Sequence, residues 1–248
     1  MGLVDTEAIV LRSYNLAEAD KIVVCLTRST GVVRAVAHGA RRLKSRFGAG
    51  LEPFTFVQMS YHEKEGRELV TLRQLEITRS HFGLAQSAEI VAALSYMSEL
   101  VLEFAPPHEP NERLFRMVSA TLKALSESPQ DLQAFVRYFE LWTLRLAGFL
   151  PDLRACADCG SSFVENEGAY VNAEGRLRCL RCGQGLGATL SAEALAQLKA
   201  AQKLSPADFA RRASGAGTRT QEEVAEIAQR LIGRVLEREP RGTATFIN

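Results

Sequence analysis

The sequence predicts an α+β, multidomain chain: a small N-terminal β-barrel, then a helical region with an embedded four-cysteine site. Three observations predict it. About five short β-rich segments fill the first 80 residues, some as apolar runs and the last two alternating apolar and polar. From about residue 85 the apolar spacing becomes helical. Four of the five cysteines fall into two CxxC pairs.

The strands come first. Thr6 to Tyr14 contains the apolar run Ala8, Ile9, Val10 and Leu11. Lys21 to Thr27 and Gly31 to Ala37 follow, with Arg28 to Gly31 as the turn between them. Phe54 to His62 alternates as a half-buried strand should, and Glu63 to Gly66 supplies a polar turn. Glu68 to Ile77 alternates again through Leu69, Leu72, Leu75 and Ile77. Five short strands suit a small antiparallel barrel that hides its own edges, and the five-stranded OB-fold is the leading form. A core strand also accounts for Cys25, which reads as a buried residue rather than a ligand.

The helices follow. Ile90, Val91, Leu94, Met97, Val101 and Phe104 recur at helical spacing until Pro106 and Pro107 end the run. Asn111 is placed to cap a second helix carrying Leu114, Phe115, Val118, Leu122 and Leu125. A third spans about Asp131 to Gly148, with Phe135, Val136, Phe139, Trp142 and Leu146 on one stripe. Two more are expected: one from Ser191 to Lys203, and one from Thr220 through Val235, where Thr220 and Glu223 have capping-box spacing. Residues 213–217 between them read as an exposed loop. The expected domains are 1–80, the OB-fold, and 81–248, helical with an insertion at about 151–187 that carries the paired cysteines. The end, Arg238 to Asn248, has no clear pattern.

Composition narrows the function. Hydrophobic residues make up 46% and charged residues 24%, as in ordinary globular proteins. No apolar run reaches the ~18 residues of a membrane span. The N-terminus lacks a basic-then-apolar export signal, and Asp5, Thr6 and Glu7 fit a myristoylation motif poorly. A cytoplasmic location is the expectation. The net charge of +1 means that any polyanion-binding surface must come from local clustering.

The cysteines carry the most specific signal. Cys156 and Cys159 form one pair, Cys179 and Cys182 the other, with 19 residues between the pairs. Without an export signal, that pattern favours metal over disulfides. Each CxxC turn aims two sulfurs at one ion, and two such turns make a closed tetrahedron. Gly160 and Gly183 each follow a second cysteine, where the backbone must turn tightly. Tyr170-Val171 and Arg176-Leu177 are placed to pair as a hairpin between the knuckles. Four thiolates leave no open position, so the expected cofactor is one structural zinc, with a vestigial or redox set as the alternative. Arg154, Arg176, Arg178 and Arg181 would offset its negative charge or contact DNA.

Positive charge is focused elsewhere. Residues 31–51 contain Arg34, Arg41, Arg42, Lys44 and Arg46, together with His38, and no acid. On a barrel of this type, such a segment is expected to track phosphates with a steep salt dependence. Phe47 is a candidate for stacking on a base, as are Tyr14 and Tyr61 if they share the groove. The alternative is a solvated loop that only aids solubility.

On these residues the sequence resembles the RecO family. The likeness runs through Glu18-Ala19-Asp20-Lys21, Gly31, His38-Gly39-Ala40-Arg41-Arg42, Ser45-Arg46 and Leu51-Glu52-Pro53-Phe54. It continues through residues 137–160, which join the helical and cysteine regions. The resemblance implies an OB-fold, a helical domain with a zinc site, and binding of single- and double-stranded DNA with annealing of complementary strands. It implies partnership with RecR and with the acidic C-terminal tail of single-strand binding protein (SSB), so that RecA loads onto coated strands at the nucleoid. By position, Arg41, Arg42, Lys44 and Arg46 would contact DNA, and Arg137 would anchor the SSB tail unless it is a plain surface charge. Family members often end in a basic, serine-containing segment, which residues 238–248 follow only loosely.

No catalytic residue is expected. There is no GxxxxGK[ST] and no HExxH, and the four histidines are scattered. The glycines at 183, 185 and 187 follow a cysteine knuckle rather than a strand, which weakens a dinucleotide reading. Neither a small-molecule substrate nor a membrane partner is expected. Two rivals stay open: a four-cysteine zinc transcription factor reading duplex DNA, and a zinc enzyme acting on nucleic acid.

Overall fold

The computed structural model describes residues 2–63, 66, 68–81, 83–84, 87–184 and 187–238. The five expected strands are present as β1 (Gly2–Leu16), β2 (Asp20–Thr27), β3 (Gly31–Ala37), β4 (Phe56–Glu63) and β5 (Leu69–Arg79). They close a barrel in the order β1-β2-β3-β5-β4. Every pairing is antiparallel except that of β3 with β5. The long β1 makes closure possible. Its first half pairs with β4, from Gly2 opposite Glu63 to Ile9 opposite Phe56. Its second half pairs with β2, from Ala8 opposite Thr27 to Leu16 opposite Asp20. An irregularity between Val10 and Arg12 bends the strand between its two partners.

Alternating residues fill the barrel, among them Val10, Val33, Val57, Met59, Val70 and Leu72. Cys25 is one of these core residues, and burial pushes its thiol up to about 12. The run Ala8 to Leu11 is buried without alternation. The reason is a cover on its outer side: α1 (Ala88–Phe104) lies there, Ser98 donating to the Leu11 carbonyl at 3.0 Å.

The chain divides into two compact units, Met1–Leu122 and Lys123–Asn248. The first holds the barrel, α1 and most of α2 (Glu112–Glu127). Asn111 caps α2 as expected, its side-chain oxygen accepting the Leu114 amide at 2.9 Å.

The second unit is built around α3 (Leu132–Leu146), against which α4 (Ala192–Ala201), α5 (Pro206–Ser214) and α6 (Thr218–Leu236) all pack. A small sheet, β7-β6-β8, joins β6 (Ala169–Val171), β7 (Leu177–Arg178) and β8 (Ala188–Leu190). α3 also closes off the end of α4. Trp142 donates to the Ala201 carbonyl at 2.7 Å, Arg145 to that of Gln202 at 2.7 Å, and Tyr138 to that of Leu204 at 3.2 Å. The carbonyls of Ala201 and Gln202 are ones that a helix end leaves without internal partners, and that of Leu204 lies in the chain leading on to α5.

Two expectations need correction. α5 occupies residues that periodicity left unassigned, and it takes residues 213 and 214 from the expected loop. The capping box at Thr220 does not form: α6 starts two residues earlier, at Thr218. Glu223 instead accepts the Ser191 amide at 2.7 Å, tying the start of α4 to α6. Beyond Arg238, the C-terminal segment lies outside the described residues, as does Gly185.

Candidate nucleic-acid interface and metal site

The basic segment leaves β3 and folds over one end of the barrel. Its start is clasped by Asp20 at the head of β2. The Gly39 amide donates to Asp20 Oδ1 at 2.8 Å, and His38 Nδ1 lies 2.7 Å from Oδ2. The Gly39 amide, then His38, hold the Asp20 carboxyl below its usual range. Arg41 ties the loop to the β1–β2 turn: its amide bonds to the Ala19 carbonyl at 3.0 Å and its guanidinium to that of Ala17 at 2.9 Å. Further along, Phe47 and Leu51 drop into the barrel core and plug it.

Arg41, Arg42, Lys44 and Arg46 are all exposed. Among the described residues, none of the four forms an ion pair. Arg34 differs: it is exposed on β3 but paired with Glu68 at 3.0 Å. The expected aromatic platform is corrected in part. Phe47 is only 3% exposed and Tyr61 is fully buried, its hydroxyl donating to Thr30 Oγ1 at 3.1 Å. Neither ring can stack on a base, because both are spent on filling the barrel. Tyr14 stays exposed on β1.

The four cysteines of the second unit converge, with all sulfurs within 4.8 Å of one another. Cys159 Sγ and Cys179 Sγ are 3.8 Å apart, close to the edge of a tetrahedron with metal–sulfur bonds of ~2.3 Å. The two knuckles are built alike. The Gly160 amide bonds to the Cys156 carbonyl, and the Gly183 amide to that of Cys179, each at 2.9 Å. Gly160 has φ +71°, and a Cβ on Gly183 would come 2.6 Å from the Tyr170 side chain. The expected hairpin forms between the knuckles one residue further on, with Tyr170 opposite Arg178 and Val171 opposite Leu177. β8 extends it, a strand that sequence reading missed.

The sulfurs perturb one another. Ser161 brings the Cys159 thiol down to about 6, while Cys159 and Cys179 push Cys182 up to about 12. Four thiols this close resist ionising together, which is the condition a divalent cation relieves. The donor set fits a soft tetrahedral metal with no position left for substrate. Of the nearby arginines, Arg178 pairs with Asp158 at 3.0 Å and Arg154 with Asp152 at 3.0 Å; Arg176 and Arg181 are exposed.

Arg137 is not a plain surface charge. It is 9% exposed and lies 3.0 Å from Glu140, which is fully buried, in an approach not aligned as a hydrogen bond. It lines a cavity of about 570 Å³ in the second unit, together with Gln197, Phe209 and Val224. Asp131, Glu222 and Glu226 also line this space, so its charge is mixed.

Comparison with known families covers nearly all of the chain. Residues 1–81 match the family described as "Recombination protein O N terminal", and residues 86–243 match "Recombination protein O C terminal". The chain belongs to the RecO family. A RecO relative, the "DNA repair protein RecO" of Anaeromyxobacter dehalogenans (strain 2CP-C), is 35% identical over 240 residues, covering 95% of this chain and 94% of the relative. The same description applies to a relative from Anaeromyxobacter sp. (strain K), 36% identical over 77% of this chain and 74% of its own. The RecO protein of Bifidobacterium animalis subsp. lactis (strain AD011) is 42% identical over 66% and 69%. Among the described residues, no helix is long and apolar enough to cross a membrane.

Proposed function

We propose that this chain is a mediator of recombinational DNA repair that grips single- and double-stranded DNA through the loop at the end of its barrel. The carrying observation is that loop: four cations with no ion-pair partner among the described residues, on a clasped and plugged support. Arg41, Arg42, Lys44 and Arg46 meet phosphates, with Arg34 and His38 beside them. Phosphate binding carries no sequence information, so recognition is sequence-tolerant and salt-sensitive. Annealing then needs no catalytic group. Cations lower the repulsion between two backbones, weak interactions let the strands sample register, and base pairing supplies the specificity.

In this reading Cys156, Cys159, Cys179 and Cys182 hold one structural zinc, which would fasten the two knuckles without taking part in chemistry. With RecR the protein helps RecA load onto strands coated by single-strand binding protein. Arg137 receives a carboxylate of that protein's acidic tail; the acids lining the cavity favour one terminal carboxylate over a dense polyanion. The expected place of action is the cytoplasm, at the nucleoid. A strand-annealing assay with and without single-strand binding protein tests this. Acceleration of annealing, including of coated strands, is expected. No acceleration in either arm would leave binding without the proposed activity.

A further inference from the structure

The loop carries a second, apolar feature. Leu43 sits between the four cations and is 103% exposed, whereas the other exposed large apolar residues range from 40% to 60%. Single exposed apolar residues are common on protein surfaces. Leu43 stands apart because its surroundings hold it out. The Arg42 amide bonds back to the Gly39 carbonyl at 3.1 Å, and the Ser45 amide to that of Arg42 at 3.0 Å, so one tight turn ends just before it and a second contains it. Arg41 is tied to the β1–β2 turn just before it, and Phe47 is sunk in the barrel just after it. A slack loop would fold this leucine onto the barrel; this one leaves it fully exposed among the exposed cations of the segment.

We propose that Leu43 is a base-contacting wedge for single-stranded DNA, packing against the face of an unstacked base while Arg42, Lys44 and Arg46 hold the flanking phosphates. The inference rests on the proposed DNA-binding role of the loop. Charge complementarity sets the class of partner. An apolar tip flanked in sequence by cations that form no ion pair among the described residues fits a polymer with anionic links and apolar faces, and a single strand offers both in alternation. Duplex DNA hides those faces, and inserting the tip there would first require unstacking. The wedge takes the place that Phe47, buried in the barrel, cannot fill.

The test is a titration with three probes: oligothymidylate of about 16 nucleotides, an abasic strand of equal length, and a duplex. Leu43→Ala is expected to weaken oligothymidylate binding about three- to tenfold with the salt slope unchanged, because the packing it removes is not ionic. Binding to the abasic strand and to the duplex should stay within about twofold. Leu43→Trp should strengthen oligothymidylate binding alone. Unchanged oligothymidylate affinity in Leu43→Ala, or an equal loss on the abasic strand, overturns the wedge. The triple variant Arg42→Ala, Lys44→Ala, Arg46→Ala separates the two readings. If it loses affinity for all three probes while Leu43→Ala loses none, only the wedge fails. If neither variant changes binding, the DNA-binding role of the loop fails with it.

Discussion

Removing Arg137 should damage the second unit before it affects any partner. Its guanidinium lies 3.0 Å from Glu140, whose side chain is fully buried. Arg137→Ala takes from that carboxylate its cationic neighbour, and breaking a buried ion pair from one side costs ~3–5 kcal/mol. At ~2–4 °C per kcal/mol for a chain of this size, Tm should fall by roughly 6–20 °C. The assay is thermal and guanidinium unfolding of wild type, Arg137→Ala, and the double variant Arg137→Met with Glu140→Gln. The double variant should recover most of the loss, since it removes both charges and keeps the volume. A single variant as stable as wild type, or a double variant no better than the single, would refute the argument. The double variant also gives the sound reagent for partner studies. If it folds normally yet no longer binds the acidic tail peptide, the guanidinium itself does the binding; unchanged affinity removes Arg137 from that role.

Other outcomes follow from the same structure. Purified protein should contain about one zinc per chain by metal analysis, and a strong chelator should lower Tm; metal-free protein of full stability would overturn the metal reading. Substituting alanine at Arg41, Arg42, Lys44 and Arg46 should flatten the salt dependence of single-strand binding by up to ~2.8 log units per log unit of salt, at ~0.7 for each phosphate no longer neutralised; an unchanged slope removes the loop from the interface. The clasp on Asp20 should follow acid titration in a fixed direction. Its folded value lies below the usual 3.8, so its stabilising effect is complete at neutral pH and fades as pH falls below that value. The Gly39 amide should therefore exchange faster in Asp20→Ala than in wild type at neutral pH, and equal rates would mean that the clasp does not order the loop. Finally, Cys25, with its thiol pushed up to about 12, should resist alkylation until the barrel unfolds; prompt modification of native protein would contradict the buried core strand.

Much of this was legible in the sequence because it depends on local rules. Short apolar runs marked the first three strands and alternation the last two, Asn111 marked its helix, and the CxxC spacing marked the sulfur cluster. What escaped depended on where segments land. Phe47 sits among cations and reads as a surface ring, yet the loop returns to plug the barrel; the apolar pair at 47 and 51, one helical turn apart, was the available signal. Arg137 reads as a helix surface charge because most arginines are, but three helices pack on α3 and bury nearly its whole girth. α5 was missed for want of an apolar stripe, although Ser205, Pro206 and Asp208 give a clear start: the Asp208 amide bonds to Ser205 Oγ at 3.2 Å. Leu43 could be counted in the sequence, but only the fold shows that it stands fully exposed among the described residues.

The bonds from Tyr138, Trp142 and Arg145 all end on main-chain oxygens at the close of α4 and in the segment just after it. That joint grips peptide groups and ignores which side chains they carry. Natural drift at position 202 should therefore be nearly silent, whereas replacing the indole of Trp142 should let the helix end fray.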